Sequence, residues 1–301
     1  MDFTCVISLL NKRNIQYKLD KSFKDITSIQ VGGIAKIVAY PEKILDFCFL
    51  ITYLYKNQIK FYILGNGTNV VFSDKDFEGV IVCTNRLSSI KFANNFAYFS
   101  CGASINLCCK KALNQCLSGM EKLYGIPGTV GGAVYINASA FGVSVSDVLS
   151  ESIAYDFEHK KIYYLSKKEH CFNDKFSFFI ENRNTVVLQS IFELSKSDYN
   201  SVRNEMQKCL SYRIRTQPYG IPSAGSVFKR PKGIIASKLI DEAGLKGFSI
   251  GGAQISNKHA GFIINNEKAS YDDIKKLTSY IKKTIKELYN VSLEEEIIFI
   301  E

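Results

Sequence analysis

The stretch PSAGSVFKRP, Pro222 to Pro231, sets the second of its two serines, Ser226, between Gly225 and Val227, with Lys229 and Arg230 close behind. Small neighbours leave its hydroxyl unshielded. The pattern is not G-x-S-x-G, so the strained turn that activates a hydrolase nucleophile is not signalled. Taken alone, Ser226 reads either as a turn serine bonding its own backbone or as a hydroxyl whose task is not attack. Two glycine-rich stretches also stand out, LGNGTN (64–69) and GIPGTVGG (125–132), with QVGG (30–33) as a third. Such loops expose backbone N–H groups and let a phosphate approach the main chain without a charged side chain. Neither long loop is G-x-G-x-x-G opening a dinucleotide-binding helix, nor the GKS/GKT phosphate loop. Tight turns use the same residues, but their grouping points to a large ligand carrying a pyrophosphate.

Metal and disulfide chemistry find little support. The nine cysteines form no C-x-x-C, and there are three histidines, His159, His170 and His259. Cys101, Cys108, Cys109 and Cys116 recur every seven or eight residues, near one face of a helix and its lead-in. A reduced, buried, structural role follows, and no metal site is expected. The net charge of +9, from 38 basic and 29 acidic residues, suits either a polyanion partner or a pocket for a phosphorylated small molecule. In IKKLTSYIKKTIK the lysines fall between apolar residues at helical spacing, which marks a solvated helix face. Neither nucleic acid nor membrane is expected as a partner.

The elements that must position these residues alternate helix and strand. A composition of 46% hydrophobic and 22% charged residues over 301 positions suits a globular protein with two or three modest domains. No apolar run is long enough to span a bilayer. The N-terminal FTCVISLL reads as a first helix rather than a signal peptide, so a cytoplasmic protein is expected. Pro41 opens a helix with Ile44, Phe47, Cys48, Ile51 and Leu54 on one side. KFYILG, GVIVCTN and FAYFSCG are apolar strands, and SINLCCKKALNQCL is a helix with Ser104 as N-cap. IAYDFEHKKIYYLS forms a hairpin turning near His159, and NTVVLQSIFEL is a further strand. From about Ser197 the composition changes. SVRNEMQKCLSYRIRTQP is helical to Gln217–Pro218, KGIIASKLIDEAG is helical with Gly244 at its end, and AGFIIN is a strand. SYDDIKKLTSYIKKTIKELYN is an amphipathic helix with Ser270 and Asp273 at capping-box spacing, and LEEEIIFIE closes the chain as a short acidic strand. A domain boundary is placed near residues 195–200.

In family order, TSIQVGG (27–33), LGNGTNVVFSD (64–74), GMEKLYGIPGTVGGAVYINASAFG (119–142), RTQPYGIPSAGSVFKRP (215–231), KLIDEAGLKGFSIGGAQISNKHAGFIIN (238–265) and LEEEI (293–297) resemble the UDP-N-acetylenolpyruvoylglucosamine reductases. The resemblance covers nearly the whole chain, and GIPGTVGGAV with NASAFG and SAGSVFKRP is highly specific. It implies an α+β protein whose two N-terminal lobes bind FAD as in the vanillyl-alcohol-oxidase (PCMH-type) group, with a C-terminal lobe closing over a UDP-sugar. The expected division is 1–196 for the FAD-binding region, with lobes of about 1–75 and 76–196, and 197–301 for the substrate domain. No room remains between the VVL strand and Ser226 for an extra tyrosine-bearing loop, so the chain resembles the shorter, second type. The implied cofactor is noncovalent FAD, with NADPH and the UDP-sugar as substrates; a monomer is expected.

The implied reaction delivers hydride to C3 of an enolpyruvyl group and a proton to C2, in peptidoglycan precursor synthesis. Charge then develops on the neighbouring carboxylate, which calls for a cation or hydrogen-bond donor there and a proton donor over the carbon. By position Ser226 matches the family's proton donor, and Glu296 the carboxylate that assists it. Read without the resemblance, Glu296 is a solvated edge-strand glutamate. The family's catalytic arginine lies in a Tyr-Arg-x-Ser motif that aligns with Asp174–Ser177, so Lys175 stands in its place, with Arg183 as the alternative cation. Lysine keeps the charge and loses the bidentate fork. Ile298 likewise stands where the family has an arginine. Flavin contacts fall on Gly65, Asn66, Gly67, Thr68 and Asn69, and on Gly128, Thr129, Val130, Gly131 and Gly132, with Asn137 and Ala138 following. Arg213, Arg215, Lys229 and Arg230 are candidates for the substrate's phosphates or carboxylate, against ordinary surface charge. The alternatives are an oxidase or other oxidoreductase of the same flavin fold, or a non-catalytic nucleotide- or polyanion-binding protein.

Overall fold

In the computed structural model, which describes residues 3–231 and 233–301, the chain forms two compact units that interleave in sequence. The first comprises the segments up to Leu19, Ile37–Asn66 and Glu78–Ser211; the second comprises Asp20–Lys36, Gly67–Phe77 and Tyr212–Glu301.

The first unit is built on a five-stranded antiparallel sheet. Its order is Lys161–Ser166, Leu149–Asp156, Thr185–Glu193, Phe96–Ser100 and Ile90–Ala93. The first two strands are the expected hairpin, and its turn is held by Asp156, whose Oδ1 accepts from the N–H groups of Glu158 and His159 at 2.9 Å each. A helix over Ile44–Lys56 buries Phe47, Leu50, Ile51 and Leu54 at helical spacing. The helix Ile105–Asn114 buries Ile105, Cys108, Cys109, Ala112 and Leu113, and it starts at Ser104 without a capping bond from that side chain. Burial pushes the Cys101 and Cys108 thiols up to about 12, so both pack as protonated apolar groups. Cys116 departs from the expected pattern. The helix ends at Asn114, the chain turns through Cys116 at φ +53°, and its side chain leaves the buried face for solvent.

A second sheet has the order Gln16–Ser22, Ile34–Tyr40, Phe77–Cys83 and Phe61–Leu64, with the last two strands parallel. The unit boundaries cut its first three strands.

The second unit contains an antiparallel sheet of order Ser223–Ser226, Phe262–Asn265, Ala253–Ile255 and Ser249–Ile250. The helix Tyr271–Tyr289 begins with both halves of the Ser270–Asp273 capping box in place and buries Ile274, Leu277, Ile281 and Ile285. The helix near residue 240 is shorter than its pattern suggests, running Ala236–Glu242 with Gly244 at φ +70° beyond it; Lys232 lies outside the described residues. Two early pieces of chain complete this unit. Val70–Phe72 pairs in parallel with Ile298–Ile300, and Phe23 stacks on Phe72 with centroids 3.8 Å apart. Ile29, Val31 and Val71 share one buried cluster with Val227, Phe228, Ile255, Ile263 and Leu277. The compact units are therefore divided differently from the expected boundary near 197. The apolar faces of 20–36 and 67–77 are covered by the C-terminal segment, and the helix Tyr199–Thr216 begins in one unit and ends in the other.

Candidate active site

Ser226 ends the strand Ser223–Ser226, which pairs antiparallel with Phe262–Asn265. Ser223 faces Ile264 and Ser226 faces Phe262, so three steps along one strand match two along the other. The extra residue is a bulge, and Gly225 occupies it at φ +81°, a conformation glycine adopts without strain. A bulge breaks the alternation of side chains and so re-aims Ser226. The next residue, Val227, donates to Gly261 O at 2.9 Å, and its own carbonyl accepts from Glu296 N at 2.7 Å. Lys229 N donates to Glu294 O at 2.9 Å, and Phe228 and Glu295 form a bridge. The backbones of Ser226 and Glu296 are thereby held next to one another. Glu296 lies before the strand Ile298–Ile300 rather than on it; Glu295 takes a different part, binding Lys282 Nζ through both oxygens at 2.9 and 3.0 Å. Asn69 brackets this segment: its Nδ2 donates to Glu296 O at 3.0 Å and its carbonyl accepts from Ile298 N at 3.0 Å.

In the first unit the two glycine loops meet. A Cβ on Gly65 would stand 2.5 Å from Thr129 Oγ1, so only glycine permits this approach. Asn66 Nδ2 donates to Pro127 O at 2.9 Å and ties the loops together. Within the second loop the residues divide. Val130 N bonds Ala103 O at 2.9 Å, Gly131 N bonds Cys101 O at 2.7 Å, and Gly132 N reaches Thr129 Oγ1 at 3.3 Å. Their amides are spent inside the fold, and Gly131 is a packing glycine whose Cβ would lie 3.0 Å from Cys101 Cβ. The amides of Asn66, Gly128 and Thr129 donate to no acceptor among the described residues. A Cβ on Gly128 would meet only Ile126 Cγ2 at 3.8 Å. Free donors beside an open glycine fit a pyrophosphate-bearing cofactor such as FAD.

Gly67 also occupies a close-packed position. At φ +62° its Cβ would overlap Ile26 O at 2.3 Å, and its carbonyl accepts from Ser28 N at 3.0 Å. Gly33 in QVGG is likewise a close-packing position, 2.6 Å from Asp74 O as an alanine. Thr68 O lies 3.7 Å from where a Cβ on Gly225 would be. Asn137 engages both ends of its amide within the protein, donating to Asn173 O and accepting from Ser146 N at 3.0 Å each, and Ala138 is buried. Their side chains therefore serve the fold. Nothing in the sequence signals this, because the partners lie on separate loops.

Lys175 sits on a turn closed by Asn173 and Phe176, which exchange backbone bonds of 3.2 Å. Its Nζ donates to Ser139 Oγ at 3.4 Å. The motif's serine, Ser177, is fully buried and donates to Tyr135 O at 2.6 Å. Arg183 is exposed; its charge partly offsets the burial that raises the Tyr135 hydroxyl. Of the phosphate candidates, Arg213 donates to Gln217 Oε1 at 3.4 Å and Arg215 lies 5.6 Å from the Tyr212 ring centroid. Lys229 Nζ is 3.4 Å from Glu294, and Arg230 is exposed.

The chain matches two family profiles: an FAD binding domain over residues 35–155, and the UDP-N-acetylenolpyruvoylglucosamine reductase C-terminal domain over 217–300. It is 39% identical over 279 residues to the UDP-N-acetylenolpyruvoylglucosamine reductase of Caldanaerobacter subterraneus subsp. tengcongensis, spanning 93% of this chain and 92% of the relative. The reductase of Clostridium novyi is 39% identical over 290 residues, 96% and 93% of the two chains. Among solved structures, the reductase of Thermus caldophilus superposes with a TM-score of 0.79 at 26% identity, over 95% of this chain and 99% of that one. A glucooligosaccharide oxidase of Acremonium strictum shares the fold alone, with a TM-score of 0.50 at 13% identity over 98% of this chain and 60% of that one. This α+β chain, with its FAD-binding domain, belongs to the UDP-N-acetylenolpyruvoylglucosamine reductase family.

Proposed function

We propose that the protein reduces UDP-N-acetylglucosamine enolpyruvate to UDP-N-acetylmuramate with NADPH, using noncovalent FAD, as a step of peptidoglycan precursor synthesis. FAD, when bound, would supply the hydride chemistry between NADPH and C3 of the enolpyruvyl group. The residues of the chain do the rest. Gly65, Asn66, Gly128 and Thr129 would hold the pyrophosphate through their amides. The Lys175 ammonium would offset the charge that builds on the substrate carboxylate. The Ser226 hydroxyl gives its proton to C2, and Glu296 assists by orienting that hydroxyl. A hydroxyl is a weak acid in water, but a carbanionic carbon is a strong base, so a positioned O–H suffices without a histidine. Arg213, Arg215, Lys229 and Arg230 would meet the UDP phosphates. Action in the cytoplasm, which the water-soluble substrates favour, and as a monomer is part of the same proposal.

The observation that carries the reading is the 2.7 Å bond from Glu296 N to Val227 O. It brings together the backbones of two residues 70 positions apart whose roles the family reaction pairs. Anaerobic stopped-flow measurements test it. Ser226→Ala should leave NADPH-driven bleaching of the flavin nearly intact and slow its reoxidation by the enolpyruvyl sugar by several orders of magnitude. Equal slowing of both halves would remove the proton-donor role, and a purified protein that is colourless and takes up no FAD would remove the whole reading.

A further inference from the structure

The turn that carries Lys175 is fastened by side chains that the reaction above does not use. Lys175 itself has φ +52°, a left-handed conformation that disfavours a long L side chain by about 1–2 kcal/mol. A residue stays in such a conformation only where its surroundings impose it. Here the segment Tyr135–Ser139 imposes it. Asn137, only 6% exposed, donates from Nδ2 to Asn173 O at 3.0 Å, at the start of the turn. Ser177 Oγ, at its end, donates to Tyr135 O at 2.6 Å. Between them the ammonium of Lys175 reaches Ser139 Oγ at 3.4 Å. The stem is also fixed: His170, fully buried, stacks on Phe172 with centroids 4.8 Å apart, and its Nδ1 lies 2.8 Å from Ser166 O.

Asn137 is the keystone because its amide works in two directions. While Nδ2 holds Asn173 O, Oδ1 accepts from Ser146 N at 3.0 Å, on the short helix Val145–Val148. Asn137 lies at φ +46°, which asparagine, aspartate and glycine tolerate better than other residues. We propose that Asn137 is a positioning residue for Lys175, fixing where the ammonium stands rather than binding the flavin. The inference rests on the reading of Lys175 as the cation that steadies the substrate carboxylate.

The test is made on the FAD-loaded enzyme, reading each half-reaction and the FAD dissociation constant. Asn137→Asp suits the same φ and still accepts from Ser146 N, but it cannot donate to Asn173 O. It should slow reoxidation by the enolpyruvyl sugar about 10- to 100-fold, with bleaching by NADPH and FAD affinity within about twofold of wild type. Lys175→Ala should slow the same step about 100- to 1000-fold, and the double variant should be no slower than Lys175→Ala. Asn137→Gly, which also suits the φ and removes both bonds, serves if the aspartate variant fails to fold and should show the same pattern. Weakened FAD binding, matched slowing of the NADPH half, or additive losses in the double variant would overturn the inference. A slow Lys175→Ala beside a normal Asn137→Asp would overturn it alone. A normal Lys175→Ala would take down the cation reading, and this inference with it.

Discussion

Replacing Gly65 by alanine tests the meeting of the two glycine loops. Nothing in the backbone opposes the change, because Gly65 is not among the positive-φ glycines. The obstacle is one atom: the new Cβ would stand 2.5 Å from Thr129 Oγ1 and 3.4 Å from Thr129 Cγ2. An ordinary carbon–oxygen contact needs roughly 0.7 Å more. Thr129 cannot simply turn away, since it is buried and its Oγ1 accepts from Gly132 N as the N-cap of the helix Val130–Tyr135. Turning it forfeits a cap of about 1 kcal/mol; leaving it in place separates the loops at an overpacking penalty of about 1–3 kcal/mol. We expect Gly65→Ala to lose about 2 kcal/mol of stability by urea titration. If the free protein instead relieves the strain by opening the loops, the same roughly 2 kcal/mol appears as a fall of about 30-fold in FAD affinity, read by flavin fluorescence, at 1.4 kcal/mol per tenfold. Thr129→Ala removes the obstructing oxygen and by itself costs about 1 kcal/mol through the lost cap. In that background Gly65→Ala should add less than about 0.5 kcal/mol, a coupling of about 1–2 kcal/mol between the two positions. Equal effects of Gly65→Ala in both backgrounds, or wild-type stability together with wild-type FAD affinity in the single variant, would refute the argument.

Gly225→Ala forces a Cβ into φ +81° and should cost about 1–2 kcal/mol in chemical denaturation. Because it also disturbs the bulge that aims Ser226, it should lower turnover more than it weakens FAD binding. Glu296→Gln should slow flavin reoxidation by the sugar at least about tenfold, leaving reduction by NADPH in place; unchanged reoxidation would exclude Glu296 from protonation. Burial lowers the pKa of His170, against the raising effects of its bond to Ser166 O and of Glu169, and His259 is lowered by burial and by Lys246. Below about pH 6.5 the unfolded chain therefore binds more protons at these sites than the native one, and stability must fall as pH drops. His170→Phe should flatten that slope in urea titrations between about pH 7 and 5; an unchanged slope would show that His170 does not contribute. Ser270→Ala removes the cap from the helix Tyr271–Tyr289 and should cost about 1 kcal/mol in the same assay, without touching FAD affinity.

What could be read from the sequence was local. The Ser270–Asp273 capping box, the lysine-lined helix after it and the hairpin around His159 each depend on residues within a few positions of one another. What could not be read depends on distant partners. Asn69 reads as the end of a phosphate loop, and no residue near it in sequence shows that its side-chain amide ties Glu296 O, 227 residues away. Gly67 reads as a phosphate-loop glycine, and no residue beside it in the chain shows that Ile26 O packs against it. The segments 20–36 and 67–77 carry no composition that marks them as part of the C-terminal unit; only the pairing of Val70–Phe72 with Ile298–Ile300 does so. Glu296 was singled out by family position, while the reason it stands by Ser226 is a main-chain bond that no side chain advertises.

In the proposed reaction, that distinction bears on how Lys175 could do the work of the arginine that the resemblance implies. Proton transfer works over hydrogen-bond distance, and a slip of about 1 Å can cost about 100-fold. The groups that set Ser226 and Glu296 are accordingly main-chain: the Gly225 bulge, Val227 N on Gly261 O, and Glu296 N on Val227 O. A cation is less demanding. At an effective dielectric of about 20, the attraction between unit charges is about 4 kcal/mol at 4 Å and still about 3 kcal/mol at 5 Å. Such a group can be placed by side-chain ties, as Lys175 is by Asn137, Ser177 and Ser139. Losing the planar fork of arginine gives up directional bonds to the carboxylate but keeps most of the field. Substitutions that shift the Lys175 turn should therefore reduce the rate by degrees, while those that shift the backbone at 225–227 or 296 by about 1 Å should cost about 100-fold.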